Sequence, residues 1–121
     1  MRFMTIVKSA EHFRDTVPPA VMAAIGKLGE EAAKAGLMVG MGGLLGTAAG
    51  ARLRLAGGKI TVTDGPFAEA KEVFGGFAIY DLPSKEAAIE WSRRFLELHA
   101  RLWPEFEGEV EVRQMLEMPP L

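Results

Sequence analysis

Asp64 and His99 are the side chains best suited to moving a proton near neutral pH. Asp64 opens the run "DGPF", and His99 stands in "LELHARLW" at the edge of an apolar helical stripe. An imidazole is poised between its charge states around neutrality, so His99 in a cleft exchanges a proton with a substrate if a neighbour orients it. Asp64 fills that role if its turn approaches the helix end, and the two then form a catalytic acid/base couple. Candidate substrate-binding groups are Lys71 and Glu72, just after the turn, and Glu111 and Arg113 in the closing segment "GEVEVRQ". Arg113 offers a planar fork that fits a carboxylate or phosphate oxygen pair. Plainer readings stand beside these. Asp-Gly-Pro is a turn composition in which Asp accepts backbone bonds, Gly takes positive φ and Pro fixes its own φ. His99 suits a helix C-terminus as a cation or a packed ring, Glu111 and Arg113 suit a strand-surface ion pair, and Lys71 suits pairing with Glu72.

Other chemistries are excluded or disfavoured by composition. The chain has no cysteine, and its two histidines cannot by themselves close a zinc site, so no metal is expected. The glycines of "GMGGLLG" lack dinucleotide-fingerprint spacing, and no Lys-Ser or Lys-Thr follows them, so no cofactor is expected. They suit a bulge or close sheet packing instead. A net charge of −2 with scattered Lys and Arg argues against nucleic acid. The start "MRFMTIVKSAEHF" has too short an apolar run for a secretory leader, and nowhere do 18 apolar residues follow one another, which predicts a cytoplasmic protein with no membrane partner. His12 is read as a surface residue.

The elements that must position these groups are legible in the patterning. "RFMTIVK" reads as a strand, and Val21, Ile25, Leu28 and Ala32 recur at helical steps between Pro18-Pro19 and Gly36. "LMVGMGGLLG" reads as a second strand that loosens into glycine. "ARLRLAGGKITVTDG" reads as a hairpin turning at Gly57-Gly58, and "VFGGFAIYDL" as a fifth strand. Ser84 caps a second helix carrying Ala88, Trp91, Phe95, Leu98 and Leu102 on one stripe, ended by Pro104. "GEVEVRQMLEM" closes the chain as a strand with Glu109, Glu111 and Arg113 on one charged face. The order predicts one α+β domain over residues 1–121: a ferredoxin-like βαββαβ sandwich with an inserted β-hairpin and both helices on one face of a mainly antiparallel sheet. Two helices cover only one sheet face. The other is expected to display apolar residues such as Phe3, Phe77 and Ile79, which implies a homodimer formed by that face.

"VTDGPFAEAKE" followed by "GGF", with the "RFMTIVK" start, the "GGK" hairpin, "EAAIEW" in the second helix and the "EVRQ" ending, resembles the DGPF-domain branch of the YCII-related proteins over nearly the whole chain. The resemblance implies a dimeric α/β-barrel assembly, a fold that hosts small-molecule isomerases, monooxygenases, dehalogenases and pigment-degrading enzymes. Some relatives are associated with acid/base chemistry by a His–Asp pair, and some with sigma-factor-like regulators. This chain departs from the family pattern at Ala70, where a threonine is usual, and in the glycine segment near Gly42, which lacks the acidic residue many relatives carry. Two functions follow as expectations. One is a cofactor-free enzyme catalysing proton transfer or isomerisation on a small, anionic molecule in a cleft of a homodimer. The other is a non-catalytic dimeric binding or regulatory module, linked to transcriptional regulation.

Overall fold

In a computed structural model that describes residues 1–67, 70–117 and 119, the chain folds as β1 (Arg2–Ser9), α1 (Pro19–Lys34), β2 (Met38–Gly43), β3 (Ala51–Ala56), β4 (Lys59–Asp64), β5 (Val73–Asp81), α2 (Lys85–Leu102) and β6 (Gly108–Gln114). Glu69, read from the sequence as part of the loop after the turn, and Met118, read as part of the closing segment, lie outside the described residues. Single 3-10 turns at Glu11–Arg14 and Thr47–Ala49 are additional to the elements expected from the sequence.

Both helices start and stop where local chemistry dictates. Pro19 opens α1 at a position whose N–H would have no intrahelical partner, and Gly36, at φ +75°, lets the chain turn out after it. The Ser84 hydroxyl oxygen accepts the Ala87 N–H at 3.2 Å and caps α2.

The main sheet has the order β2-β5-β1-β6 with every described pairing antiparallel, which is the ferredoxin-like arrangement of two interlocked split βαβ units. Phe3, Tyr80 and Val112 point to the side that carries Ala32 of α1 and Ala88 of α2, so both helices cover one face. A second cluster joins Phe13, Val21, Leu28, Leu98 and Trp103 at the other end of the same layer. Phe3 therefore belongs beneath the helices, at 1% exposure, and not to the open face where the sequence reading placed it. Alternation gives the parity of a strand but not which parity faces the helices. Ile6, Phe77 and Glu111 sit in register, as do Met4, Ile79 and Arg113, and both sets lie on the face opposite Phe3.

The hairpin β3–β4 stands apart as its own two-stranded sheet, turning at Gly57 and Gly58 with φ of +57° and +75°. Its register pairs Leu53 with Val62 and Leu55 with Ile60, which form an apolar patch 61% to 70% exposed, on the same side as the Ala51–Asp64 pair that ends the hairpin.

Removing the phenyl ring of Phe3 takes out the largest fully buried side chain. Phe3→Ala is expected to lower unfolding free energy by about 3–5 kcal/mol in urea titration, with an unchanged denaturant slope.

Candidate functional site

Between the sheet and the helices lies a cavity of about 160 Å³ whose walls are mostly apolar and whose polar groups are few: Arg14, His99, Thr5 and Tyr80. Arg14 comes from the 3-10 turn that follows β1, and His99 from the last turn of α2. The topology brings them together because β1 and α2 meet across the same helical layer.

His99 is 5% exposed, and its Nδ1 lies 2.8 Å from the Phe95 carbonyl oxygen. A carbonyl only accepts, so Nδ1 carries the proton and Nε2 keeps its lone pair. Phe95 and Phe106 lie against the ring at centroid distances of 4.5 Å and 4.7 Å. Burial pushes the imidazole below its ordinary value, the Phe95 carbonyl opposes this, and the Arg14 charge adds to the downward push. The ring is therefore neutral at pH 7 and basic only at Nε2. Tyr80, stacked on Trp91 at 5.8 Å, has its phenol pushed up by burial and stays a neutral donor.

Arg14 donates from Nη2 to the Leu44 carbonyl at 3.1 Å, while its Nε is buried with no hydrogen-bond partner. A buried donor without an acceptor costs about 1–3 kcal/mol, more when charged, so an acceptor brought to this atom would relieve that cost. Room for the guanidinium comes from Gly75, where a Cβ would stand 3.0 Å from Nη1 and 3.1 Å from Cζ. The neighbouring Gly76 is needed for a different approach, since a Cβ there would stand 2.9 Å from the Gly42 carbonyl oxygen of β2.

The Asp64-Gly65-Pro66-Phe67 turn is closed onto the chain rather than open to the cavity. The Gly65 N–H donates to the Gly50 carbonyl at 2.9 Å, and the Phe67 N–H donates to the Thr47 hydroxyl at 2.9 Å. Gly65 is required by proximity: a Cβ would fall 1.6 Å from the Thr47 carbonyl oxygen. It does not adopt the positive φ expected from the sequence, and the Gly65–Pro66 peptide is cis. The Thr47 hydroxyl in turn donates to Glu11 Oε1, and the Thr47 N–H donates to Glu11 Oε2 at 3.2 Å. The turn is thus tied through Thr47 to the same 3-10 segment that presents Arg14. Arg52 lies over the Phe67 ring at 4.2 Å.

The residues singled out in the sequence fall in different places. His99 lines the cavity; Asp64 is exposed at the end of β4 and is not among the residues lining it. The group that orients His99 is the Phe95 carbonyl. Lys71 and Glu72 are exposed and border a shallow groove with His12 and Glu109. Glu111 and Arg113 lie on the open sheet face, where Glu111 accepts from Lys8 at 3.1 Å and from Arg113 at 3.0 Å. Hydrogen bonds from Lys8, then Arg113, hold the Glu111 carboxyl below the usual range. Arg14, Tyr80 and Glu11 carried no motif; the only sequence signal for Arg14 was a lone cation between a strand and a proline pair. Among the described residues no group of three or more His, Cys, Asp or Glu side chains is placed to hold a metal, and no helix is long and apolar enough to cross a membrane.

The YCII-related domain matches residues 1–118. The chain belongs to the YCII-related family. It is also similar to an uncharacterised protein of Rhizobium meliloti (strain 1021), at 44% identity over 50 residues, which are 41% of this chain and 40% of that protein. The chain thus spans well under two thirds of the length of that curated relative.

Two outcomes follow. Gly65→Ala forces the turn off Thr47 and is expected to destabilise the fold by about 1–3 kcal/mol, a drop of several degrees in melting temperature. For His99, the unfolded chain takes up a proton below about pH 6.5 that the native ring resists. Its contribution to stability is fully present above that pH and is lost as pH falls toward the lowered native value. Urea midpoints compared at pH 7.5 and 5.5 should therefore fall more for the wild type than for His99→Gln.

Proposed function

We propose that this protein binds a small anionic molecule in the helix-side cavity, with Arg14 as the anion anchor and His99 as the group that exchanges a proton with it. The observation that carries this reading is a buried guanidinium Nε without an acceptor, in one cavity with an imidazole whose Nε2 lone pair is available. Isomerisation needs such a base. A neutral imidazole can take a proton from carbon or oxygen, and the fixed Arg14 charge stabilises the anion that results. Asp64 contributes to this scheme through the loop that it opens.

The working unit of the proposal is a homodimer. Met4, Ile6, Phe77 and Ile79 lie on the sheet face opposite the two helices, and Leu53, Leu55, Ile60 and Val62 of β3–β4 are largely exposed among the described residues. A two-stranded hairpin alone is marginally stable in water. A twofold partner that covers both surfaces removes the deficit. Within the family, the "DGPF" and "EVRQ" runs favour the DGPF branch, and the composition favours the cytoplasm.

A non-catalytic binding or regulatory module is the second reading. It is favoured by the closed turn, whose backbone N–H groups at Gly65 and Phe67 already have protein acceptors.

Thermal-shift screening of small carboxylic and phosphoric acids should find at least one anion that stabilises the wild type, and Arg14→Gln should lose that response while keeping its fold. Solvent deuterium exchange into a bound acid then separates the readings. Exchange that disappears in His99→Gln supports acid/base catalysis, whereas binding with no exchange in the wild type supports the module. Light scattering should give about twice the 13.1 kDa chain mass, reduced toward the monomer by Leu55→Asp with Ile60→Asp.

A further inference from the structure

We infer that the anion is an aromatic monocarboxylate of about one ring, bearing a hydroxyl that donates to His99 Nε2. This inference rests on the reading of the helix-side cavity given above and narrows it to a chemical class.

Charge comes first. Among the described residues Arg14 is the only charged side chain lining the cavity, and His99 is held neutral there. One carboxylate neutralises the single positive charge. A phosphate monoester brings nearly two negative charges, and the second has no partner in surroundings where an unpaired charge is costly. A neutral ligand can offer the Arg14 Nε an acceptor oxygen but leaves the guanidinium charge uncompensated.

Donor geometry points the same way. The guanidinium lies over Gly75 with Nη2 engaged by Leu44, which leaves Nε and part of the Nη set to act together. Adjacent parallel N–H groups of this kind match the two oxygens of a planar carboxylate.

Size and wall chemistry define the rest of the ligand. The volume of about 160 Å³ is close to the roughly 150 Å³ of an apolar cavity that takes up benzene. Met22, Met38 and Met41 line the wall together with Phe95 and Phe106. Thioether sulfurs pack favourably against ring edges, and aromatic walls favour offset or edge contacts with a ring. Met41 is held close to α1 because Gly29 has no side chain: a Cβ there would stand 2.5 Å from the Met41 sulfur.

His99 supplies the remaining requirement. Nδ1 is committed to Phe95, so Nε2 can only accept, and among the described residues it has no hydrogen-bond donor. A ring hydroxyl meets it, and this gives the imidazole a proton to take when the phenol becomes phenolate.

The test is calorimetric titration of the full chain with 2-, 3- and 4-hydroxybenzoate, benzoate, benzamide, phenyl phosphate and inorganic phosphate. At least one hydroxybenzoate should bind ten-fold or more tighter than benzamide and phenyl phosphate, and at least three-fold tighter than benzoate. Arg14→Gln should weaken it ten-fold or more. His99→Phe should equalise that hydroxybenzoate with benzoate. Circular dichroism and melting curves establish that each variant is folded, and Arg14→Lys, which keeps the charge without the fork, should recover only part of the affinity. If phenyl phosphate or inorganic phosphate binds more tightly than every carboxylate and Arg14→Gln abolishes it, the anion anchor stands and the monocarboxylate class is overturned. If the hydroxybenzoates bind equally to wild type and Arg14→Gln, the anchor itself is wrong. If no compound in the panel binds, both are overturned.

Discussion

A guanidinium half-removed from water sets the terms for the rest of this molecule. Arg14 sits on a single 3-10 turn between β1 and α1, and burial makes its charge costly, as the downward push on its pKa indicates. The chain compensates with arrangements that only a few residue types allow. Strand β5 gives up a side chain at Gly75, the Leu44 carbonyl turns toward Nη2, and Leu44 in turn donates its N–H to the Gly75 carbonyl at 3.0 Å. Among the described residues the cation is thus held against backbone, by Leu44 and Gly75, and not by a carboxylate. A carboxylate partner would have neutralised it; backbone carbonyl contact leaves the positive charge available.

The sheet divides the protein into two electrostatic environments. In the helix-side cavity Arg14 is the only charged side chain among the described lining residues, which are largely apolar, so the polar groups there act at low effective dielectric. On the open side, Lys8 bridges Glu109 at 2.8 Å and Glu111 at 3.1 Å, and these groups are solvated and screened. Arg113 and Glu111 have residue types that suit a substrate clamp, and their strand parity places them on the open sheet face, away from the helix-side cavity.

Much of the fold is legible in the sequence because it is written in local periods. The steps of three and four through Val21–Ala32 and Ala88–Leu102, the Ser84 cap and the Gly57-Gly58 turn each specify an element without reference to the rest of the chain. Facing and proximity are not local. Which parity of β1 lies under the helices depends on where α1 and α2 pack, so Phe3 cannot be oriented from "RFMTIVK" alone. The role of Gly65 is equally hidden, since its constraint is the carbonyl of Thr47, eighteen positions away in sequence. One turn of 3-10 helix has no period to detect, and so Arg14 goes unnoticed. His99 is visible because its pKa range makes any histidine beside an apolar stripe worth weighing, but its partners are not.

Glu11 and Arg14 stand on one short turn, with Glu11 gripping Thr47 and, through it, the Phe67 backbone, while Arg14 reaches into the cavity. The signature loop and the cavity are therefore connected in series, like two ends of a lever. On the proposed reading, variation in the loop would act on the fraction of molecules whose guanidinium is correctly placed, and apparent affinity would scale with that fraction. Selection on a ligand that never touches Asp64-Gly65-Pro66-Phe67 would still be felt there, as pressure to keep the lever stiff.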